Sequence, residues 1–254
     1  MVRKTIVLIL FFVPLFLFSS VCFTFGEEVR LNGAATVADR IVIPYKSFVE
    51  QATGDTIVVV VNNAGKGLID LVEGRCDASL SSATLETTVQ AARAAGKEID
   101  ISRLKMHMVA SDEIVFVVNS SNPIDSLPLE QMKDIHVGKI INWKAVGGKD
   151  VPITVFTDSL SSATRGFIKQ AVLNGQDYSA NAKPLDDIKM INEAVALTLG
   201  GIGGIGRGFV DPTKVKIIKT GKINRPLGFI TIGEPSRKVQ RIIDAYKIEA
   251  QKHD

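Results

Sequence analysis

The sequence predicts an α/β fold in which helices cover a largely parallel sheet. Short β-branched or apolar runs, such as those at 56–61 and 114–119, have the pattern of buried strands. Segments with apolar residues at helical spacing alternate with these runs along the chain. Neither an internal repeat nor a low-complexity linker interrupts the alternation. Strands that alternate with helices are typical of sheets covered by crossover helices.

Each element is predicted from its local pattern. The first helix stops at Gly54, and the C-terminal helix has Val239, Ile242, Ile243 and Tyr246 on one face. The predicted strands are 29–31, 56–61, 78–80, 114–119, 153–156, 216–220 and 229–232. The predicted helices are 43–51, 67–73, 85–95, 128–135, 163–173, 190–199 and 236–252.

The first 26 residues predict an export signal. Arg3 and Lys4 precede an apolar run, and small or uncharged residues suit cleavage after Gly26. The alternative is a retained membrane anchor, because residues 5–23 are almost long enough to span a bilayer. The residues before Cys22 fit a lipoprotein signal poorly. We therefore expect a periplasmic protein whose signal peptide is removed.

The mature chain, about residues 27–254, is nearly neutral. Removal of Arg3 and Lys4 from the 30 basic residues leaves 28, against 27 acidic ones, so no strong field points to nucleic acid. Cys76 is the only cysteine in this part, which excludes an internal disulfide and indicates a small buried hydrophobic residue. The three histidines are scattered, so neither a metal site nor a cofactor is predicted.

Gly201, Gly203 and Gly206 have the G-x-G-x-x-G spacing of dinucleotide-binding turns. Such a turn follows a strand and opens a helix, whereas this one follows a predicted helix and enters a predicted strand. The chain contains neither a Ser-His-Asp order nor a G-x-S-x-G elbow. No nucleophile–base pair is therefore legible in the sequence, and a hydrolase is disfavoured.

Residues 120–148 carry the most specific pattern in the chain. They read SSNPIDSLPLEQMKDIHVGKIINWKAVGG, with a proline turn, a short helix, a Gly-Lys turn and an Asn-Trp-Lys segment closed by Gly-Gly. This pattern resembles a segment of the phosphate-type solute-binding proteins of ABC importers, which have NP, a Leu-rich helix and G-K-I-x-N-W-x-x-V-G-G. We expect Trp143 and Val146 to pack under a lobe rather than to contact ligand.

The resemblance covers nearly the whole mature chain. It implies a two-lobed periplasmic-binding-protein fold of type II, with a ligand cleft between the lobes. The signal-like start and the nearly neutral remainder predict that the mature protein is a monomer. The implied division is a signal peptide at 1–26, lobe 1 at 27–112 and 209–254, and lobe 2 at 113–208. Crossovers between the lobes are expected near 111–115 and 206–210.

Four loops resemble the ligand loops of this family. They are 32–37, similar to G-x-x-T; 63–67, in place of a Ser/Gly-rich loop; 77–82, similar to D-x-x-x-S-[DS]; and 161–165, similar to G-S-G-T-R. Residues 224–227 and 233–236 match late RPL and GEPS elements. The ligand-binding residues that the resemblance implies are Ala35, Thr36, Val37, Ala64, Gly65, Ser82, Asp158, Ser162, Ala163 and Thr164.

These loops make physical sense as oxyanion binders. They lead towards predicted helix starts near Val42, Gly67, Leu85 and Ala163. A helix N-terminus offers unpaired N–H groups and a partial positive charge, which together bind anions. The hydroxyl donors at these starts would be Thr36, Ser82, Ser162 and Thr164. Any one of them alone could be an ordinary helix cap, but together they predict a shared site.

Three positions depart from the pattern of tight phosphate binders. The family usually has Ser at the position of Ala64, Asp at that of Ser82 and Arg at that of Asp158. The family's Asp accepts the proton of hydrogen phosphate, and its Arg binds the anion's oxygens as a fork. A carboxylate at 158 therefore requires a counter-charge beside a bound anion. The candidate cations are Lys66, Arg165 and Arg207.

The sequence thus predicts an exported solute-binding protein of an ABC importer. It would hold phosphate or a related small oxyanion between its lobes and deliver it to permease subunits. The alternative is an exported ligand-sensing or adhesive module of the same fold without a transport role. Neighbouring permease and ATPase genes would favour the first function, whereas a nearby sensor kinase would favour the second.

Overall fold

The computed structural model describes residues 26–252, so the predicted signal segment lies outside the described residues except for its last one. Eight strands form one mixed sheet in the order β2-β1-β3-β8-β4-β7-β5-β6. They are β1 (Glu28–Ala34), β2 (Thr56–Asn62), β3 (Ala78–Ser81), β4 (Leu104–Asn119), β5 (Thr154–Thr157), β6 (Lys183–Pro184), β7 (Gly201–Gly206) and β8 (Val215–Ile232).

Within residues 26–252, eight α-helices cover this sheet. They are α1 (Ala35–Val37), α2 (Ile43–Thr53), α3 (Ala64–Val72), α4 (Leu85–Ala94), α5 (Leu129–His136), α6 (Ala163–Ala171), α7 (Met190–Ala196) and α8 (Arg237–Gln251). A π-helical stretch, Ala38–Val42, joins α1 to α2 in one continuous segment. Gly54 ends α2 at φ 75°, a left-handed conformation that glycine adopts readily. Between residues 26 and 252, the helices are too short or too polar to cross a bilayer.

Two long strands hold the sheet together. β4 and β8 pair antiparallel, from Leu104 opposite Ile232 to Asn119 opposite Val215. At one end of this pair lie β1, β2 and β3, and at the other end lie β5, β6 and β7. The protein therefore has the predicted two-lobed α/β fold, and two continuous strands connect the lobes.

The apolar core lies between the sheet and its helices. Its largest cluster extends through both lobes and includes the predicted face of α8, with Val239, Ile242, Ile243 and Tyr246 all buried. A second cluster lies beneath α3 and α4 and contains Cys76. Burial raises the pKa of the Cys76 thiol to about 12, so it stays a neutral, apolar side chain, as predicted.

The Asn-Trp-Lys segment has the structural role that the sequence predicts. Trp143 is buried, and its indole N–H donates to the carbonyl of Gly200 at 3.1 Å. Trp143 belongs to the largest apolar cluster, and Val146 packs against that cluster. Trp143 and Val146 of segment 120–148 therefore contribute to the apolar core, which is a structural role.

The prediction that residues 56–61 form a buried strand was wrong about burial. β2 is parallel to β1, as expected, but it is an edge strand whose Val58, Val60 and Val61 are exposed. Only Ile57 among its residues is fully packed. A β-branched run suits any pleated surface, so composition alone did not distinguish an edge strand from a central one.

The two strands predicted at 216–220 and 229–232 are one strand. The intervening Asn-Arg-Pro has the composition of a turn, yet it continues β8 opposite β4. Pro226 lies opposite Ser111 of β4 but beyond the end of β3, which pairs only with 228–230, so β8 is paired on one side only at that position. β8 thus runs past both groups of strands as one strand. The crossovers near 111–115 and 206–210 and the lobe limits at 112/113 and 208/209 stay predictions.

Candidate anion-binding site

One cavity of about 230 Å³ lies where loops of both lobes meet. Eight of the ten predicted ligand-binding residues line it: Ala35, Thr36, Ala64, Ser82, Asp158, Ser162, Ala163 and Thr164. Other polar or charged residues that line it are Asn62, Asn63, Lys66, Asp186 and Asp187. Of these five, the sequence analysis singled out only Lys66 as a side chain that could act there. The structure thus brings together five segments that are far apart in the chain.

The other two predicted residues lie away from the cavity. Val37 is fully buried in the largest apolar cluster, because the helical rotation after Thr36 turns its side chain into the core. Gly65 is also buried, and its N–H donates to the carbonyl of Ser161 at 3.3 Å. That bond joins the second and fourth loops directly, so this N–H has a protein acceptor.

Two of the four helices at the site start earlier in the chain than predicted, and the other two start where predicted. The helical segment of the first loop begins at Ala35, not near Val42, and α3 begins at Ala64, not near Gly67. α4 and α6 begin at Leu85 and Ala163, as predicted. No side chain caps the start of α1, which leaves its first N–H groups for water or a ligand.

Only one of the four predicted hydroxyls is a helix cap. Ser162 caps α6 by accepting from the N–H of Thr164 at 3.1 Å. Thr36 and Thr164 are the second residues of their helices, and Ser82 precedes Thr84, which caps α4. The alternative that these residues are ordinary caps is therefore wrong for three of them.

A buried arginine that the sequence analysis did not assign to the site lies beside these hydroxyls. Arg225 is 1% exposed, and its Nη1 donates to Thr164 Oγ1 at 2.5 Å and to Ser82 Oγ at 3.4 Å. Its Nη2 donates to Thr36 Oγ1 at 3.3 Å and to Asp112 Oδ2 at 2.7 Å. Its Nε donates to the same Asp112 oxygen at 3.1 Å. One guanidinium thus contacts three of the four loops.

The surroundings of this ion pair explain two sequence features. Burial lowers the pKa of Arg225 and Asp112 opposes that effect, but a guanidinium stays charged. A Cβ at Gly206 would lie 2.6 Å from Arg225 Nη2 and 2.6 Å from Asp112 Oδ2, so a larger residue there would have to displace the ends of this ion pair. The last glycine of the G-x-G-x-x-G spacing therefore makes room for an ion pair. The RPL element at 224–227 was the one signal that could have revealed Arg225.

Asp158 is a carboxylate on the cavity wall with little contact with water. It is 8% exposed, its Oδ1 accepts from the N–H of Ser159 at 2.8 Å, and its Oδ2 accepts from the hydroxyl of Ser162. Burial raises its pKa to about 6, and the hydrogen bonds from Ser162 and Ser159 oppose this rise. Asp158 is therefore mostly ionised at neutral pH. In the part of the chain that the structure describes, no lysine or arginine forms an ion pair with it.

The three candidate counter-charges lie in different places. Lys66 lines the cavity. Arg165 donates to Thr157 Oγ1, and its guanidinium carbon lies 4.4 Å from the ring centroid of Tyr178. Arg207 is exposed and forms an ion pair with Glu113 at 2.6 Å. Among these three cations, only Lys66 can contact a ligand in the cavity.

The comparisons with known proteins agree with this geometry. The sequence model described as a PBP superfamily domain matches residues 26–238. The chain belongs to this superfamily. Its two-lobed α/β fold is thus that of a PBP superfamily protein.

Several relatives of this PBP superfamily protein have described ligands. The phosphate-binding protein PstS of Bacillus subtilis is 25% identical over 214 residues, which are 82% of this chain and 68% of the relative. A Clostridium perfringens protein, described as a phosphate ABC transporter substrate-binding protein and solved with bound phosphate, superposes with a TM-score of 0.75. It is 25% identical, and the match covers 89% of this chain and 95% of that one.

A further solved structure shares the fold. An ABC-type phosphate transport receptor from Vibrio cholerae superposes with a TM-score of 0.68 at 24% identity, over 88% of this chain and 96% of that one. This chain spans about half to two thirds of the length of the curated relatives that it matches, from 52% to 68%.

Proposed function

We propose that this PBP superfamily protein is an exported solute-binding protein of an ABC importer, and that it holds phosphate or a related small oxyanion in its cavity. The observation that carries the proposal is the convergence of Thr36, Ser82 and Thr164 on one cavity beside the uncapped start of α1. Hydroxyl and N–H donors stabilise an anion through charge-assisted hydrogen bonds. The relatives described as phosphate-binding support the choice of oxyanion.

The charged residues of the cavity narrow the class of ligand. Asp158 lies on its wall, and Asp186 and Asp187 also line it, against a single lysine, Lys66. An anion without a proton meets like-charge repulsion from Asp158. An oxyanion that keeps a proton can instead donate it to that carboxylate while its other oxygens accept from the hydroxyls. Hydrogen phosphate has both kinds of group, whereas sulfate at neutral pH has only acceptors.

The same residues argue for binding without catalysis. Among residues 26–252, no histidine lines the cavity. The arrangement there that most resembles a nucleophile with its general base is the hydroxyl of Ser162 hydrogen-bonded to Asp158. A carboxylate whose pKa is about 6 is a weak base for a serine hydroxyl, and no imidazole is present to relay the proton. The site is thus suited to holding an anion and releasing it unchanged.

Transport explains the two-lobed form and the predicted export signal together. Two lobes joined by two strands can close on a ligand by a hinge motion. The closed protein, a monomer, then docks on the permease subunits. The predicted signal peptide, residues 1–26, ends at the residue where the superfamily domain begins. Mass spectrometry of protein from the periplasmic fraction should find a chain starting near Glu27. An intact N-terminus in the membrane fraction would contradict export as a free protein.

Calorimetric titration with a panel of oxyanions tests the binding function. The protein is unfolded and refolded first, so that no carried-over ligand occupies the cavity. We expect phosphate and arsenate to bind with a stoichiometry of one, and sulfate to bind at least about tenfold more weakly because it cannot donate to Asp158. If no anion in the panel binds, the proposed function is wrong.

A further inference from the structure

We propose that Arg225 is a positioning residue that makes Thr36, Ser82 and Thr164 hydrogen-bond donors towards the cavity. The inference rests on the proposed function, since it explains how the same cavity recognises an anion. It concerns a side chain that is not among the residues lining the cavity. Arg225 therefore acts on the ligand through the three hydroxyls rather than by direct contact.

All the donors of Arg225 are used within the protein. A guanidinium has five N–H groups in a planar fork. Two of them donate to Asp112 Oδ2, and the other three donate to the oxygens of Thr36, Ser82 and Thr164. No N–H remains for a ligand, so the guanidinium does not have the role of an anion-binding fork.

The three hydroxyls are thereby fixed as donors. A hydroxyl has one proton and can accept hydrogen bonds through two lone pairs, and it normally rotates to suit either role. Each of these three oxygens accepts from Arg225, which orients a lone pair inwards. Within residues 26–252, no protein atom accepts the proton of any of them. Because all three line the cavity, their protons are available to an acceptor placed there.

The location of Arg225 makes this arrangement dependent on both lobes. Arg225 lies on β8, opposite Asp112 on β4, and these two strands connect the lobes. Thr36 and Ser82 come from loops on the β1 and β3 side of the sheet, whereas Thr164 comes from α6 on the other side. The bond between Arg225 and Thr164 thus requires the two sides to be close together, as they are when a ligand is enclosed.

The variant Arg225→Lys distinguishes the positioning role of Arg225 from an effect of its positive charge alone. An ammonium group keeps the positive charge beside Asp112, but it has three donors and no planar fork. We expect Arg225→Lys to weaken binding of inorganic phosphate at least about tenfold, because hydroxyls free to rotate bind the anion less well. The matched control is Arg207→Lys, which makes the same change in a surface ion pair with the neighbouring Glu113. This control should bind phosphate like the wild type.

A double-mutant cycle tests whether Arg225 acts through a hydroxyl. Phosphate affinity is measured for Arg225→Lys, Thr164→Val and the double variant, with melting temperatures as folding controls. If Arg225 orients Thr164, its replacement should cost less when that hydroxyl is already absent, by a factor of about three or more. A merely structural role would instead make the two losses multiply.

A second variant keeps the inference testable if Arg225→Lys does not fold. Replacing both buried charges, as Asp112→Asn with Arg225→Met, leaves only the part-exposed Arg40, the other ion-pair partner of Asp112, without its carboxylate. This double change is tolerated better than removal of one buried partner alone. It should weaken phosphate binding to a similar degree. Wild-type affinity in either Arg225 variant, or independent losses in the cycle, would overturn the positioning role while leaving the proposed function intact. Failure of the wild type to bind any anion would overturn both.

Discussion

Ser162 and Thr164 lie two residues apart at the start of α6, and both line the cavity, yet their hydroxyl protons go to different places. Ser162 donates to Asp158 and accepts from the N–H of Thr164, so its proton is used within the protein. Thr164 accepts from Arg225 at 2.5 Å and keeps its proton for the cavity. The charged neighbour behind a hydroxyl, rather than the residue type, thus decides whether that hydroxyl can bind an anion.

The largest expected effect comes from removing the hydroxyl that faces the cavity. Thr164→Val keeps the shape of the side chain and removes its donor, so phosphate binding should weaken tenfold or more, the loss of one hydrogen bond to a charged ligand. Ser162→Ala should weaken it much less, because that proton already belongs to Asp158. Titration of both variants, with melting curves as the control, measures the difference. Equal losses would show that the two hydroxyls have the same role.

Replacement of Asp158 should have a smaller effect, which is seen in the selectivity between sulfate and phosphate. Asp158→Asn removes the negative charge, and the amide can donate to Ser162, which returns that hydroxyl's proton to the cavity. We expect the affinity for sulfate to rise roughly tenfold relative to that for phosphate, because an anion without a proton no longer faces a carboxylate. Competition titrations with the two anions give this ratio. An unchanged ratio would place the anion away from Asp158.

The sequence predicted the loops of this site better than its chemistry. Thr36, Ser82 and Thr164 were identified because they occur in short motifs, in family order, before helices. Arg225 was not assigned to the site, because it is 189 residues from Thr36 in the chain and the Asn-Arg-Pro segment around it has the composition of a turn. Whether Ser162 donates inwards or outwards depends on Asp158, and only the folded geometry shows which neighbour each hydroxyl has.

For the fold as well, the sequence predicted local elements better than long-range pairing. Helices with a clear apolar face, such as α8, were predicted almost to the residue, because burial of that face requires the pattern. The continuity of β8 was missed because its middle carries lysines, a glycine and the buried Arg225 rather than an apolar run, and because its pairing with β4 shifts register there. Long-range pairing therefore overrode local composition at the point where the lobes are connected.

The smallest expected effect is a pH dependence of stability. The pKa of Asp158 is raised from 3.8 to about 6 in the folded protein. Ionisation of this buried group therefore destabilises the fold as pH rises through that interval, and stability is regained as pH falls. Asp158→Asn removes the cost, so its gain in free energy of unfolding should be larger at pH 8 than at pH 5 by about 1 kcal/mol. Urea denaturation at both pH values measures it, and a gain that is the same at both would contradict the raised pKa.

The most direct test of the account is a crystal structure of the mature protein with phosphate. We predict one phosphate in the cavity, with its oxygens about 2.5–3.0 Å from the hydroxyl oxygens of Thr36, Ser82 and Thr164. One further oxygen should lie at hydrogen-bonding distance from Asp158, and Arg225 should keep its bonds to the three hydroxyls without touching the anion. A phosphate bound directly by the Arg225 guanidinium, or one bound outside this cavity, would contradict the account.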